Sequence, residues 1–112
     1  MKSLKFSRNQ IQLILSGQKT VTWRLFDEKD LQSGDAIALI NTETKEVFAT
    51  GVIVAIREKK LGEITEPDFL GHEHFRDPGE MLKQYRQYYG PQVTMETPIK
   101  MVEFTLTSTQ PR

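Results

Sequence analysis

Residues 33–57, SGDAIALINTETKEVFATGVIVAIR, decide how the rest of the chain is read. Ser33-Gly34-Asp35 is turn chemistry. The run Ala36–Asn41 behind it is short and mostly apolar, which reads as a strand buried on both faces. Thr42–Lys45 is a polar hairpin connection. Glu46–Arg57 then reads as one long strand, with Gly51 marking a bulge or bend. A strand bent at a glycine is what a small barrel needs at its corners.

The flanks fit around this hairpin. Upstream, Leu4 and Phe6 alternate with polar residues as a first strand would. Ser7 or Asn9 caps a helix running to about Ser16, with Ile11, Ile14 and Leu15 as its apolar stripe and Leu13 beside it. Gly17 stands where a helix C-terminal glycine belongs. Thr20–Leu25 alternates as a strand, and Phe26–Gln32 is a charged loop. Downstream, Thr65 with Asp68 forms a capping pattern around Pro67, and Gly71 ends that piece. Asp77-Pro78-Gly79-Glu80 starts a second helix, whose stripe is Met81, Leu82, Tyr85, Tyr88 and Tyr89. Gly90-Pro91 stops it. Pro98 opens a last strand in which Val102, Phe104 and Leu106 alternate with Met101, Glu103 and Thr105. Residues 107–112 read as a frayed tail. The pattern predicts roughly four or five strands that are not interleaved with helices, which excludes a doubly wound parallel sheet. The fold class is α+β: a small, mostly antiparallel β-barrel with flanking helices, one domain over residues 1–112.

Composition narrows the function. The chain has 112 residues, too few for a second domain. It has no Cys, which removes disulfides, thiolate metal sites, iron–sulfur clusters and a Cys nucleophile. No apolar run approaches the roughly 20 residues of a membrane helix, and no signal peptide is legible, so a cytoplasmic location is expected. Fifteen basic residues balance fifteen acidic ones, giving zero net charge. Proteins that track a long phosphate backbone are usually basic. A pocket for one nucleoside is not subject to that argument.

The densest polar constellation is Gly17-Gln18-Lys19-Thr20-Val21-Thr22-Trp23-Arg24. In a period-2 strand Thr20, Thr22 and Arg24 share a face, and Lys19 lies at its mouth. Trp23, alternating away from Thr22, belongs to the core. A solvent-exposed strand face explains the same pattern. A phosphate-binding P-loop does not, because only one glycine is present and the order is helix–loop–strand. The second constellation is His72-Glu73-His74, which reads as a polar loop with one member facing a pocket. A metal reading would need a carboxylate as third ligand, and HExxH spacing is absent. Tyr85, Tyr88 and Tyr89 fit core or rim packing, or stacking on a base. Arg57 with Lys59-Lys60 is a solvated basic strand end, with RNA contact as the other option.

The motif Gly17-x-Lys19-Thr20-x-Thr22-x-Arg24, after the helix pattern Ile-x-x-Ile-Leu-Ser-Gly, resembles the signature of the ASCH family. The Ser33-Gly34-Asp35 turn, Leu61–Thr65, Tyr88-Tyr89-Gly90 and Val102-Glu103-Phe104 fall in that family's order. The resemblance implies a PUA-like barrel and a role in RNA metabolism. Thr22, where many members carry an acid, is similar to a small bacterial branch of amidohydrolases acting on N(4)-acetylcytidine. That branch uses a Lys, a Thr and a Glu. By position they are Lys19, Thr22 and Glu73, with Glu66 and Glu80 competing for the last place.

The implied chemistry is coherent. Hydrolysis of an aromatic N-acetyl group needs a nucleophile, a base and an acid for the leaving amine. Thr22 is the nucleophile, a neutral Lys19 the base and Glu73 the acid. Burial lowers a lysine pKa as this requires. Arg24 holds the developing oxyanion or orients the base, and Thr20 joins it in binding substrate. A covalent acetyl-Thr and a directly activated water are both open. No metal or other cofactor is expected, and the partner is a small modified nucleoside, with RNA as a further option. Against this enzyme stands a non-catalytic RNA- or nucleotide-binding module of the same fold, and behind that a ribonuclease.

Overall fold

Five strands and two α-helices follow one another in the computed structural model, which describes residues 1–109: β1 (Lys2–Phe6), α1 (Arg8–Leu15), β2 (Val21–Arg24), β3 (Ala36–Asn41), β4 (Val47–Lys60), α2 (Pro78–Tyr89) and β5 (Pro98–Thr109). Two short 3₁₀ turns, Leu61–Glu63 and Glu66–Phe69, lead from β4 toward α2. Ser7 caps α1: its side chain accepts from the Gln10 amide while the Gln10 side chain accepts from the Ser7 amide. Asp77 caps α2 by accepting from the Glu80 amide at 2.8 Å, with Pro78 in the first turn.

The strands form one sheet in the order β1-β3-β4-β5-β2, curled into a half-barrel. Three of its pairings are antiparallel. β1 and β3 run parallel, because α1 and β2 intervene between them in the chain. β4 is long enough to pair with β3 at one end and with β5 along nearly all its length. Its register slips at Thr50/Gly51 and at Ile53/Ala55. Gly51 allows the first bulge: a Cβ there would lie 2.7 Å from the Thr105 carbonyl oxygen. β1 and β2 are the sheet's edges, and side chains from β2 and the loop after it reach β1. Arg24 Nη2 donates to the Lys5 carbonyl at 3.0 Å, and Lys29 Nζ donates to the Ser3 carbonyl.

The buried face of β5 switches along its length, from Ile99 and Met101 to Val102 and Phe104, with Glu103 and Thr105 exposed, and this divides the core in two. Val102 and Phe104 join Leu4, Phe6, Ile11, Ile14, Ile37, Leu39 and Ile53 inside the half-barrel. Ile99 and Met101 join Val21, Trp23, Leu25, Leu61, Met81 and Tyr85 beneath α2. Two expectations need correction. β3 is buried on one face only: Ile37 and Leu39 are inaccessible, while Ala36 is exposed and Ala38 and Ile40 are half-buried. α1 covers its inner face through Ile11 and Ile14. Residues 107–109 are not a tail, since Ser108 and Thr109 pair with Thr50 and Ala49 in β5. The rest of the expected tail, residues 110–112, lies outside the described residues. Among the described residues no helix is long and apolar enough to cross a membrane.

Candidate active site

Two glycines bring the site together. Gly17, at φ +84°, reverses the chain after α1, and the Gln18 and Lys19 amides both donate back to the Leu13 carbonyl. Lys19 is thereby folded inward, with its side chain 1% exposed. Gly71, at φ +78°, presents its carbonyl to the Thr20 and Val21 amides at 2.9 and 3.1 Å. That double bond ties the loop after the second 3₁₀ turn across the start of β2. Glu73 lands on Lys19 as a result.

Lys19 Nζ donates to the Val21 carbonyl at 2.9 Å and to Glu73 Oε2 at 2.7 Å. Burial lowers the Lys19 pKa from its ordinary value, and the Glu73 charge opposes this without cancelling it. Burial also pushes the Glu73 carboxyl up, but the Lys19 charge and His72 more than offset it, so the carboxyl titrates below its ordinary range. At neutral pH the two form an ion pair whose ammonium gives up its proton more readily than a free lysine. Thr22 is buried, and its Oγ1 accepts from Arg24 Nε at 3.3 Å. The Arg24 guanidinium lies over the Phe6 ring, 4.9 Å from its centroid. Arg24 is thus held by β1 while it orients the Thr22 hydroxyl.

These groups line one cleft of about 670 Å³, a size suited to a nucleoside-scale ligand. Trp23, Phe75, Tyr85, Tyr88 and Tyr89 also line it, as do Lys5, Ser7, Asn9 and Gln10 on the α1 side. Tyr85 is buried and Tyr88 is exposed, so the tyrosines run from the core to the mouth of the cleft. Trp23 is core, as its alternation implies, yet it also stacks on His72 at 4.0 Å between centroids.

The structure brings Lys19, Thr22, Arg24 and Glu73 together and leaves Thr20 out. β2 begins at Val21, so the alternation that put Thr20 beside Thr22 fails there. Thr20 is exposed, and its Oγ1 sits against Gly71, outside the cleft lining. Glu66 pairs with exposed His74 at 3.1 Å, and Glu80 pairs with Arg76 at the cleft's edge. Glu73 is the carboxylate that reaches Lys19. The two histidines diverge, His72 toward Glu73 and His74 toward Glu66. Among the described residues no three His, Asp or Glu side chains converge as a metal-ligand group. The basic strand end is paired: Arg57 and Lys59 share buried Asp68, and Lys60 pairs with Glu96.

No protein-family model matches the sequence, and no curated protein matches it. Solved structures do match. A protein from Enterococcus faecalis V583 superposes with a TM-score of 0.79 at 14% identity, over 97% of this chain and 77% of that one. A variant of the ASCH protein of Zymomonas mobilis gives 0.70 at 16% identity, over 98% and 73%. The ASCH domain from Lactobacillus crispatus JV V101 gives 0.65 at 15% identity, over 87% and 69%. What these proteins share with this chain is the fold, and that fold is the ASCH domain fold.

Proposed function

We propose that this chain is an ASCH-family amidohydrolase that removes the acetyl group from N(4)-acetylcytidine or a related acylated nucleoside. The observation that carries the reading is the ion pair of buried Lys19 with Glu73, which lines the same nucleoside-sized cleft as Thr22. A buried ion pair is weak evidence for stability, so a lysine held inside such a cleft invites a chemical explanation.

The pair holds one mobile proton. Its transfer from Lys19 to Glu73 gives a neutral amine and a carboxylic acid, the base and the acid that amide hydrolysis needs. The amine takes the proton of Thr22 as Oγ1 attacks the acetyl carbonyl. Arg24 Nε, which already donates to Oγ1, stabilises the partial alkoxide charge on Oγ1 as its proton leaves. Collapse of the tetrahedral intermediate breaks the bond to N4, and Glu73 delivers its proton to that nitrogen. Cytidine leaves, and Thr22 carries the acetyl group. After a second transfer within the pair, Lys19 deprotonates water, acetate departs and Thr22 regains its proton. In the direct route, Lys19 deprotonates water first and Thr22 orients it. Arg24 has its Nη2 committed to Lys5, which fits orientation of Thr22 better than mobile capture of an oxyanion. The reading carries a cytoplasmic setting, with RNA as a second ligand class.

The test is product identification. Metal-stripped protein incubated with N(4)-acetylcytidine is expected to release cytidine and acetate in equal amounts. Unchanged substrate, together with oligonucleotide binding that weakens steeply with salt, would replace the enzyme by a binding module.

A further inference from the structure

Glu73 is addressed by a second residue of its own loop. His72 Nδ1 lies 2.8 Å from the Glu73 carbonyl oxygen and 3.3 Å from Glu73 Oε2, the oxygen that Lys19 also holds. A carbonyl oxygen only accepts, so Nδ1 carries the proton and Nε2 is the bare nitrogen. The ring has little freedom to do otherwise. Its side chain is 6% exposed, and it stacks on buried Trp23 with 14° between the planes. Burial, with the Lys19 charge nearby, pushes its pKa down to about 4, so the ring is neutral at pH 7. The other titratable groups around this cluster are Lys19 from the turn before β2 and Tyr85 from α2, both facing the carboxylate, with Arg24 from β2 beside Lys19 and His74 from the same loop beside His72. Of these, Lys19 hydrogen-bonds the carboxylate.

We propose that His72 is the positioning residue of this site: its fixed Nδ1–H holds the Glu73 backbone carbonyl and points its dipole toward the carboxylate 3.3 Å away, so that Oε2 meets Lys19 in its ionised form. His72 therefore decides where the pair's proton rests. It does not itself take a proton in the reaction. The geometry stands independently, while the kinetic consequence rests on the amidohydrolase reading.

The variant His72→Phe keeps a flat ring on Trp23 and removes the N–H, and His72→Gln restores a donor. Imidazole ¹⁵N NMR of the wild type is expected to show His72 as the Nδ1–H tautomer, neutral at pH 7. In His72→Phe, ¹³C NMR is expected to show Glu73 titrating at higher pH by about half a unit or more, from the loss of the N–H dipole beside its carboxylate and of the bond that holds its backbone. The acid limb of kcat/KM should move with it, and kcat should fall about tenfold, as supporting contacts commonly cost, with KM held within about twofold. His72→Gln should recover part of both. An Nε2–H tautomer in the wild type, or an unmoved Glu73 titration in a folded His72→Phe, would overturn the proposal. The wild-type tautomer measurement decides even where the variant does not fold. A wild type without turnover would instead remove the amidohydrolase reading and leave the NMR outcomes to decide this one.

Discussion

Lys19→Met and Glu73→Gln break the same ion pair from opposite ends, and the structure predicts unequal losses of stability. At 2.7 Å and an effective dielectric constant of about 20, the attraction is about 6 kcal/mol before desolvation is charged against it. Glu73→Gln leaves the Lys19 ammonium buried, with the Val21 carbonyl as its remaining partner. Stranding a buried charge costs about 3–5 kcal/mol. The lysine can also escape by losing its proton, which at pH 7 caps the cost near 5 kcal/mol. Because 29% of the Glu73 side chain is exposed, the lower end applies, about 3 kcal/mol. Lys19→Met removes the inaccessible charge, fills its space with an unbranched apolar chain and leaves Glu73 within reach of solvent. That change should stay within about 1 kcal/mol of wild type. At about 4 °C per kcal/mol for a domain of this size, Tm falls by about 12 °C in Glu73→Gln and by less than about 4 °C in Lys19→Met. Thermal and urea unfolding read both. The sign with pH is also fixed. In Glu73→Gln the folded lysine pKa lies below its unfolded value, so the penalty is full at neutral pH and fades as pH rises toward 10.5. Equal destabilisation by the two substitutions, or a Glu73→Gln penalty indifferent to pH, would show that the pair is structural and would refute the reasoning.

Other consequences are quicker to state. Thr22→Ala should lower kcat/KM by at least about 10³-fold, with Thr22→Ser retaining more activity, while folding stability changes little beyond one lost hydrogen bond. The reactive pair contains one proton, so kcat/KM should be flat at neutral pH. It should fall at low pH as the pair takes up a second proton at Glu73, and at high pH as Lys19 loses the last, with that alkaline limb below the ordinary lysine value of 10.5. A rate still climbing through pH 10.5 would contradict this. Gly51→Ala should cost about 2–3 kcal/mol in a denaturant titration, because its methyl group would press on the Thr105 backbone at the bulge that bends β4.

What was legible in the sequence was local. Ser7, Gly17 and Asp77 announce helix ends because capping is decided by one side chain and the turn beside it. Gly51 announces a bulge for a similar reason. The motif from Gly17 to Arg24 brings Lys19, Thr22 and Arg24 to one cleft because they lie within one turn and one strand. Long-range pairing left no such mark. Parallel pairing of β1 with β3, and the single buried face of β3, depend on what the sheet and α1 place beside them. Strand alternation does not reach Thr20, which lies one residue before β2 in the segment that Gly71 ties down. Choosing Glu73 over Glu66 and Glu80 required that same tie, which joins residues far apart in the chain. His72 was read only as part of a polar loop. Its stack on Trp23 is a tertiary contact, and the one local hint was a histidine directly before the favoured acid.

The most direct test of the account is kcat/KM for N(4)-acetylcytidine, measured side by side for wild type, Lys19→Ala and Thr22→Ala. Release of cytidine and acetate by the wild type, with both variants reduced at least about 10³-fold, is the predicted result. Full activity in either variant, or an inert wild type, would contradict the claim that this cleft is a lysine–threonine–glutamate amidohydrolase.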